Sequence, residues 1–205
     1  MAISNKQKQL HFKMYKPCYV LSQLNSNDAR QQRKKEFLNI FYDFPEGTMP
    51  IGRLDEKSEG LLLLTTDGKL SDTINRSGVE KEYYAQLDGG ITQTALRQLA
   101  KGVSIGVFGK KYRTKPCQVR LLNEQPVLPV PHVKLRIGKH RPSSWISIIL
   151  KEGKFRQIRK MTAAVGFPTL RLVRVRIGTI QLNELIPGAV VQLRKKDVTQ
   201  INKEN

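Results

Sequence analysis

Cysteine is nearly absent: Cys18 and Cys117 are the two in 205 residues. They stand far apart without CxxC spacing, so they read as reduced, small apolar residues of a cytosolic protein, not as a disulfide framework. His11, His132 and His140 share no metal-ligand spacing with a cysteine or acid cluster, which argues against a metal site. No apolar run approaches a membrane span, and no basic amphipathic helix is visible, so no membrane partner is expected. The stretch from Met1 to Tyr15 is polar and basic and lacks the apolar centre of a secretory signal. The GxxxxGK phosphate loop is missing too. Acids are the scarcest class relative to their opposites: 17 Asp and Glu face 36 Lys and Arg, a formal net charge of +19. Basic residues on this scale, spread over many segments, favour a polyanion such as RNA or DNA. The plainer alternatives are a basic protein kept soluble by its charge, or one that packs into a ribosome without catalysis.

What is present begins with GRLDEKSEGLLLLTTDG, Gly52 to Gly68. Four leucines, Leu61 to Leu64, next to turn signals read as a short strand buried on both faces. Asp55 stands at its mouth, a carboxylate held beside apolar surface, where a single acid can do chemistry. Elsewhere, residues 1–14 read as a loose basic arm and Lys16 to Gln23 as a strand. Asn27 or Asp28 caps a basic helix ending near Phe41. Gly47 to Gly52 reads as a loop and Gly68 to Ile74 as a short helix. Lys81 to Leu87 reads as a strand, and Thr92 caps a helix to about Ala100. Gly102 to Leu122 reads as a hairpin turning near Gly109.

Residues 124–143 carry four prolines with Lys134, Arg136, Lys139 and Arg141, the pattern of a linker or surface loop between two lobes. Beyond it, Trp145 to Leu150 reads as a strand. A helix over Phe155 to Val165 follows, with Phe155, Ile158, Met161 and Val165 packed down and Arg156, Arg159 and Lys160 in a basic stripe. Alternation in LVRVRI puts Val173, Val175 and Ile177 on one strand face and Leu172, Arg174 and Arg176 on the other. Leu172 is thus a lone apolar residue on a basic face, a gap filler or the wall of a cleft for an apolar ring. A final strand covers Val190 to Leu193, and the tail from Lys195 is polar.

Four strings in order resemble one family: KPCYVLSQ (Lys16–Gln23), the Gly52–Gly68 string, KEYY (Lys81–Tyr84) and EGKFRQIRKMTAAVGFPTLRLVRVRIG (Glu152–Gly178). Together they are similar to the RsuA-type pseudouridine synthases of ribosomal RNA. With PSSW at Pro142 to Trp145, they are most like the RluE branch, which modifies 23S rRNA. The resemblance spans about Lys16 to Leu193. Many relatives begin with a small S4-type RNA-binding domain; fifteen residues before Lys16 are too few for one, as in the RluE branch. The resemblance implies a single catalytic domain, acting as a cytoplasmic monomer. Its fold is α+β: a bent, mostly antiparallel sheet in two lobes, helices on the outer faces, and a central cleft.

The implied reaction is an isomerisation: the uracil–ribose bond breaks, the base rotates, and C5 bonds to C1′. No atoms are gained or lost, so no redox cofactor or ATP is implied. By resemblance, Asp55 is the nucleophile or electrostatic partner of C1′, and Arg159 pairs with it and keeps it ionised. Tyr83 stacks under the uracil and is the candidate base for the C5 proton; Leu172 packs beside it. Arg53 helps hold the nucleotide out of its stack, and Arg156, Arg174 and Arg176 contact phosphates. Taken singly, Asp55 is an ordinary turn former, Tyr83 a half-buried strand aromatic and Arg159 a surface cation; their joint occurrence in family order is the argument. Binding should be strongly salt-dependent: affinity for rRNA fragments that barely changes from low to moderate salt would refute the electrostatic account. Two rivals remain: a non-catalytic RNA-binding assembly factor, and a glycosidase pairing Asp55 with Glu59, which the charge disfavours.

Overall fold

The computed structural model describes residues 8–135, 137–138 and 142–201. The chain runs β1 (His11–Lys16), α1 (Ala29–Lys34), β2 (Met49–Ile51), β3 (Glu59–Thr65), α2 (Gly68–Arg76), β4 (Lys81–Asp88), α3 (Gln93–Lys101), β5 (Ser104–Val107), β6 (Lys110–Arg113), β7 (Gln118–Leu122), β8 (Ser143–Leu150), α4 (Gln157–Ala164), β9 (Thr169–Ile177), β10 (Ile180–Gln181), β11 (Val190–Leu193) and α5 (Lys195–Thr199). Among the described residues, one sheet has the order β11-β1-β3-β9-β4-β8-β7, with β2 on β3 and β10 on β9; β5 and β6 form a separate hairpin.

Every residue of β3 is buried. Leu61 and Leu63 enter one apolar cluster with Tyr15, Ile74, Val173 and Ile177, and Leu62 and Leu64 enter another with Phe12, Met14 and Leu38. Period-two alternation thus feeds two cores from one strand, as its lack of any polar face demands. A third cluster, including Ala85, Leu99, Ile146, Met161 and Leu172, fills the other half of the sheet. The halves meet where β3 and β9 run parallel, through Glu59 opposite Val173 and Gly60 opposite Arg174; the other pairings in this sheet are antiparallel. Gly60 has φ +100°, and a Cβ there would run into the Arg174 backbone. Only glycine permits so close a junction.

Several sequence expectations need correction. Residues 11–14 are not part of a loose arm: β1 lies between β11 and β3, with Phe12, Met14 and Tyr15 buried. The strand expected at Lys16 to Gln23 therefore lies earlier, and Pro17, with no N–H to donate, ends it. The first helix stops at Lys34 rather than Phe41; it buries no residue, so no packing prolongs it. β2 occupies part of the expected loop at 47–52, recruited by β3. The strands on either side of the segment 124–143, β7 and β8, pair antiparallel with each other. Arg136, Lys139, His140 and Arg141 lie outside the described residues, as do residues 1–7 and 202–205. The polar tail contains α5, whose Val198, with Ile201, is buried in the first cluster. Phe155 precedes α4 and is exposed instead of packed down.

Candidate active site

The turn carrying Asp55 runs straight into β3 at the junction of the two halves, and it is tied down from several sides. Ser58 N–H donates to the Asp55 carbonyl at 2.9 Å. Ser22 grips Leu54 twice: its hydroxyl donates to the Leu54 carbonyl (2.8 Å) and accepts from the Leu54 N–H (3.0 Å). The Tyr19 N–H donates to the Glu56 carbonyl at 2.6 Å. Lys16, fully buried, donates to the Pro17 and Val20 carbonyls, both at 2.7 Å, and reaches Glu56 O at 3.5 Å. Burial pulls its pKa down to about 7. Lys35 adds an ion pair to Glu56 at 2.8 Å. None of these anchors uses the Asp55 carboxylate, which stays available.

Of the expected site residues, Arg53, Asp55, Tyr83, Arg156, Leu172 and Arg174 line one cleft of about 760 Å³, within the range of ligand pockets. Tyr83 and Leu172 pack against the same apolar cluster, Tyr83 only partly buried. Tyr83 lies opposite Arg174 across the strand pair, with the guanidinium carbon 6.0 Å from its ring centroid. Arg174 is itself buried; its Nε donates to the Leu61 carbonyl at 2.7 Å, and its Nη2 has no partner. Lys81 also lines the cleft, and burial, reinforced by the Arg174 charge, lowers its pKa to about 8.

Arg159 and Arg176 do not line this cleft. The expected Asp55–Arg159 ion pair is not formed. Arg159 instead donates to the carbonyls of Lys57 (2.6 Å) and Thr169 (3.1 Å), clamping the turn to β9. Burial and the Arg156 charge push its guanidinium down, and Asp55 pushes it back up. The cation that pairs with Asp55 is Arg156, its Nη1 3.9 Å from Oδ2. Arg156 sits in the left-handed region, φ +54°, just before α4, a strained conformation for arginine that turns its side chain toward the turn. Arg176 faces Glu82 and Glu80, at 3.0 and 3.2 Å, and these cross-strand acids satisfy it. Glu59 cannot serve as a second acid. It is buried against Arg171 (2.6 Å), accepts from the Tyr15 hydroxyl (2.8 Å), and does not line the cleft.

Sequence reading missed Lys16, Ser22, Lys81 and Arg171 as parts of this construction. The Lys16-Pro17 pair and the lysine opening KEYY are the local signals that mark two of them; Ser22 and Arg171 give none.

A cleft at a sheet junction, lined by Asp55 with Glu56 and Glu152 and walled by a tyrosine and a leucine, fits a known class. Residues 11–164 match the family model described as RNA pseudouridylate synthase, and the chain belongs to that family. It is 41% identical over 174 residues to ribosomal large subunit pseudouridine synthase E of Xanthomonas axonopodis pv. citri (strain 306), spanning 84% of this chain and 87% of that protein. The protein of the same name from Vibrio parahaemolyticus serotype O3:K6 (strain RIMD 2210633) is 36% identical over 175 residues, 84% of this chain and 69% of that one. A solved pseudouridylate synthase superposes with a TM-score of 0.75 at 26% identity, covering 95% of this chain and 74% of that one. Among the described residues, no helix is long and apolar enough to cross a membrane.

Proposed function

We propose that the chain isomerises a uridine of large-subunit (23S) ribosomal RNA to pseudouridine, acting in the cytoplasm as a monomer, with Asp55 as nucleophile. The reading rests on one observation: Asp55, Tyr83 and Leu172 line a single cleft, with Arg156 3.9 Å from the carboxylate. Arg156 stands 3.9 Å from the Asp55 carboxylate, the group that would attack C1′. Leu172 and the Tyr83 ring form a floor for the uracil. As Asp55 bonds to C1′, the N1–C1′ bond breaks. C5 of the turned base then displaces Asp55 from C1′, and the Tyr83 oxygen relays the C5 proton to N1 by giving up its own proton as it accepts that one. The proton balance closes when N1 is protonated, so no cofactor enters. Arg159 acts as a positioning residue by holding the 57–58 backbone. A uridine in folded RNA must leave its stack, at roughly a few kcal/mol. Arg53, Arg156 and Lys81 offset this through phosphate contacts, whereas Arg174 is buried and backs the Tyr83 ring.

Mapping pseudouridines in large-subunit rRNA from cells with and without the chain tests this. One position should lose the modification in its absence; an unchanged map overturns the assignment.

Lys81 gives this reading a pH signature. Its folded pKa, about 8, lies below the ordinary 10.5, so the free chain releases a proton that the unfolded chain retains. Lys81 therefore opposes folding less as pH rises from 8 toward 10.5. A bound phosphate favours the charged form. Affinity for rRNA should accordingly be highest below pH 8 and fall about three- to tenfold by pH 9.5. In Lys81→Met that pH dependence should vanish; fluorescence titrations of both proteins across this range check it.

A further inference from the structure

The hairpin β5–β6 turns through Phe108 and Gly109, both with positive φ, +48° and +78°. Val107 and Lys110 pair directly across this two-residue turn. Such turns call for asparagine or aspartate followed by glycine, because short polar side chains tolerate the left-handed region. A bulky aromatic there is a genuine outlier. The ring gains nothing from burial: Phe108 is 84% exposed. Turn geometry and core packing therefore both argue against phenylalanine at this place.

What the ring does meet is Phe155. Their centroids are 6.0 Å apart with planes 20° from parallel, and Phe155 is itself 56% exposed. Phe155 lines the Asp55 cleft and immediately precedes Arg156. Lys160 fixes the two elements together: its ammonium donates to the Gly106 carbonyl at 2.7 Å and stands 5.1 Å from the Phe155 centroid. Lys110 and Lys111 follow the turn and Lys154 precedes Phe155; all three are exposed, and the Lys154 ammonium stands 4.9 Å from the Tyr112 centroid. Two near-parallel aromatic faces, pre-positioned at the rim of the cleft with Lys160 against one of them and exposed lysines adjacent in sequence, are the elements of a single-strand stacking platform.

We propose that Phe108 and Phe155 stack a base of the RNA strand flanking the target uridine while that uridine occupies the Asp55 cleft. The inference rests on the pseudouridine synthase reading and adds a contact to a neighbouring nucleotide. The platform holds the strand open beside the everted nucleotide, and Lys110, Lys111 and Lys154 neutralise its phosphates. The occupant is nucleic acid rather than a second copy of the chain because a basic rim repels itself.

The test is Phe108→Asn, which gives the turn its preferred residue while removing the ring. Thermal stability should be unchanged or higher, which separates this variant from one that fails to fold. Two short oligouridylates carry 2-aminopurine on one side or the other of a central uridine, and an unmodified 23S transcript serves as the activity substrate. The parent chain should quench one of the two probes. Phe108→Asn should lose the quench, bind that probe about 5- to 100-fold more weakly, and lose a similar factor in kcat/KM on the transcript. Phe108→Trp should restore all three. If Phe108→Asn binds, quenches and turns over within twofold of the parent, the proposal is wrong. It is equally wrong if the parent self-associates and Phe108→Asn abolishes only that. Should the parent form no pseudouridine while the quench still depends on Phe108, the activity reading falls and the platform stands.

Discussion

Asparagine at position 55 is expected to abolish pseudouridine formation, by about 10⁴-fold or more, with the fold and RNA affinity intact. A loss of that size corresponds to roughly 5 kcal/mol of transition-state stabilisation, a reasonable value for removing a covalent nucleophile. The substitution is nearly isosteric. The turn is anchored through the Asp55 carbonyl and through Ser22, Tyr19, Lys16 and Lys35, none of which contacts the carboxylate. The ion pair lost, with Arg156 at 3.9 Å, is partly exposed, so its contribution to stability is about 0–1 kcal/mol. Removing a negative charge from a cleft that receives phosphates should leave RNA affinity equal or slightly higher. Melting curves, RNA titrations and quantification of pseudouridine in a treated transcript check the three parts separately. A non-catalytic assembly factor predicts that Asp55→Asn changes nothing, so retained activity would sink the enzyme mechanism.

Glu59→Ala is expected to be the most damaging single change to stability, about 3–5 kcal/mol. Glu59 and Arg171 pair at 2.6 and 3.3 Å with both side chains almost fully buried, and the Tyr15 hydroxyl donates to the same carboxylate. Burial and the adjacent carboxylate push the Tyr15 hydroxyl well above its ordinary range, so it stays a donor. Without Glu59, a guanidinium and a phenol remain in apolar surroundings, and among the described residues the Pro129 carbonyl, 2.8 Å from Arg171 Nη2, is the acceptor that stays. At this chain length the loss should lower the melting temperature by about 10 °C or more. Glu59→Gln, which keeps acceptors but not the charge, should be milder. The position also bears on function: it joins β3 to β9 next to the Asp55 turn, so any residual folded Glu59→Ala protein should show reduced activity through misplaced backbone. A urea midpoint equal to that of the parent would contradict this account.

Some of the site is visible in the sequence and some is not, according to how local its determinants are. Asp55 and the leucine strand are local patterns: a Gly-flanked turn and an unbroken apolar run need no distant partner to be recognised. Leu172 and Arg174 follow from strand alternation. Arg176 follows the same alternation yet leaves the site, because Glu80 and Glu82 on β4 stand opposite it. Arg156 takes the place beside Asp55 expected of Arg159 because α4 starts at Gln157, leaving Arg156 in a left-handed conformation outside the helix, while Arg159 is held by the Lys57 and Thr169 carbonyls. No periodicity argument places a residue that is off the helix.

By itself the sequence determined the charge, the buried central strand, the acid at its mouth and the membership of a family, because each depends on residue type and short-range order. The tertiary structure decided which arginine meets the acid, which cations are consumed by neighbouring acids, and why Lys16 and Arg171 are buried at all. Those outcomes depend on carbonyls and carboxylates delivered from remote segments to the junction of β3 and β9. Only closure of the sheet brings them within hydrogen-bonding reach.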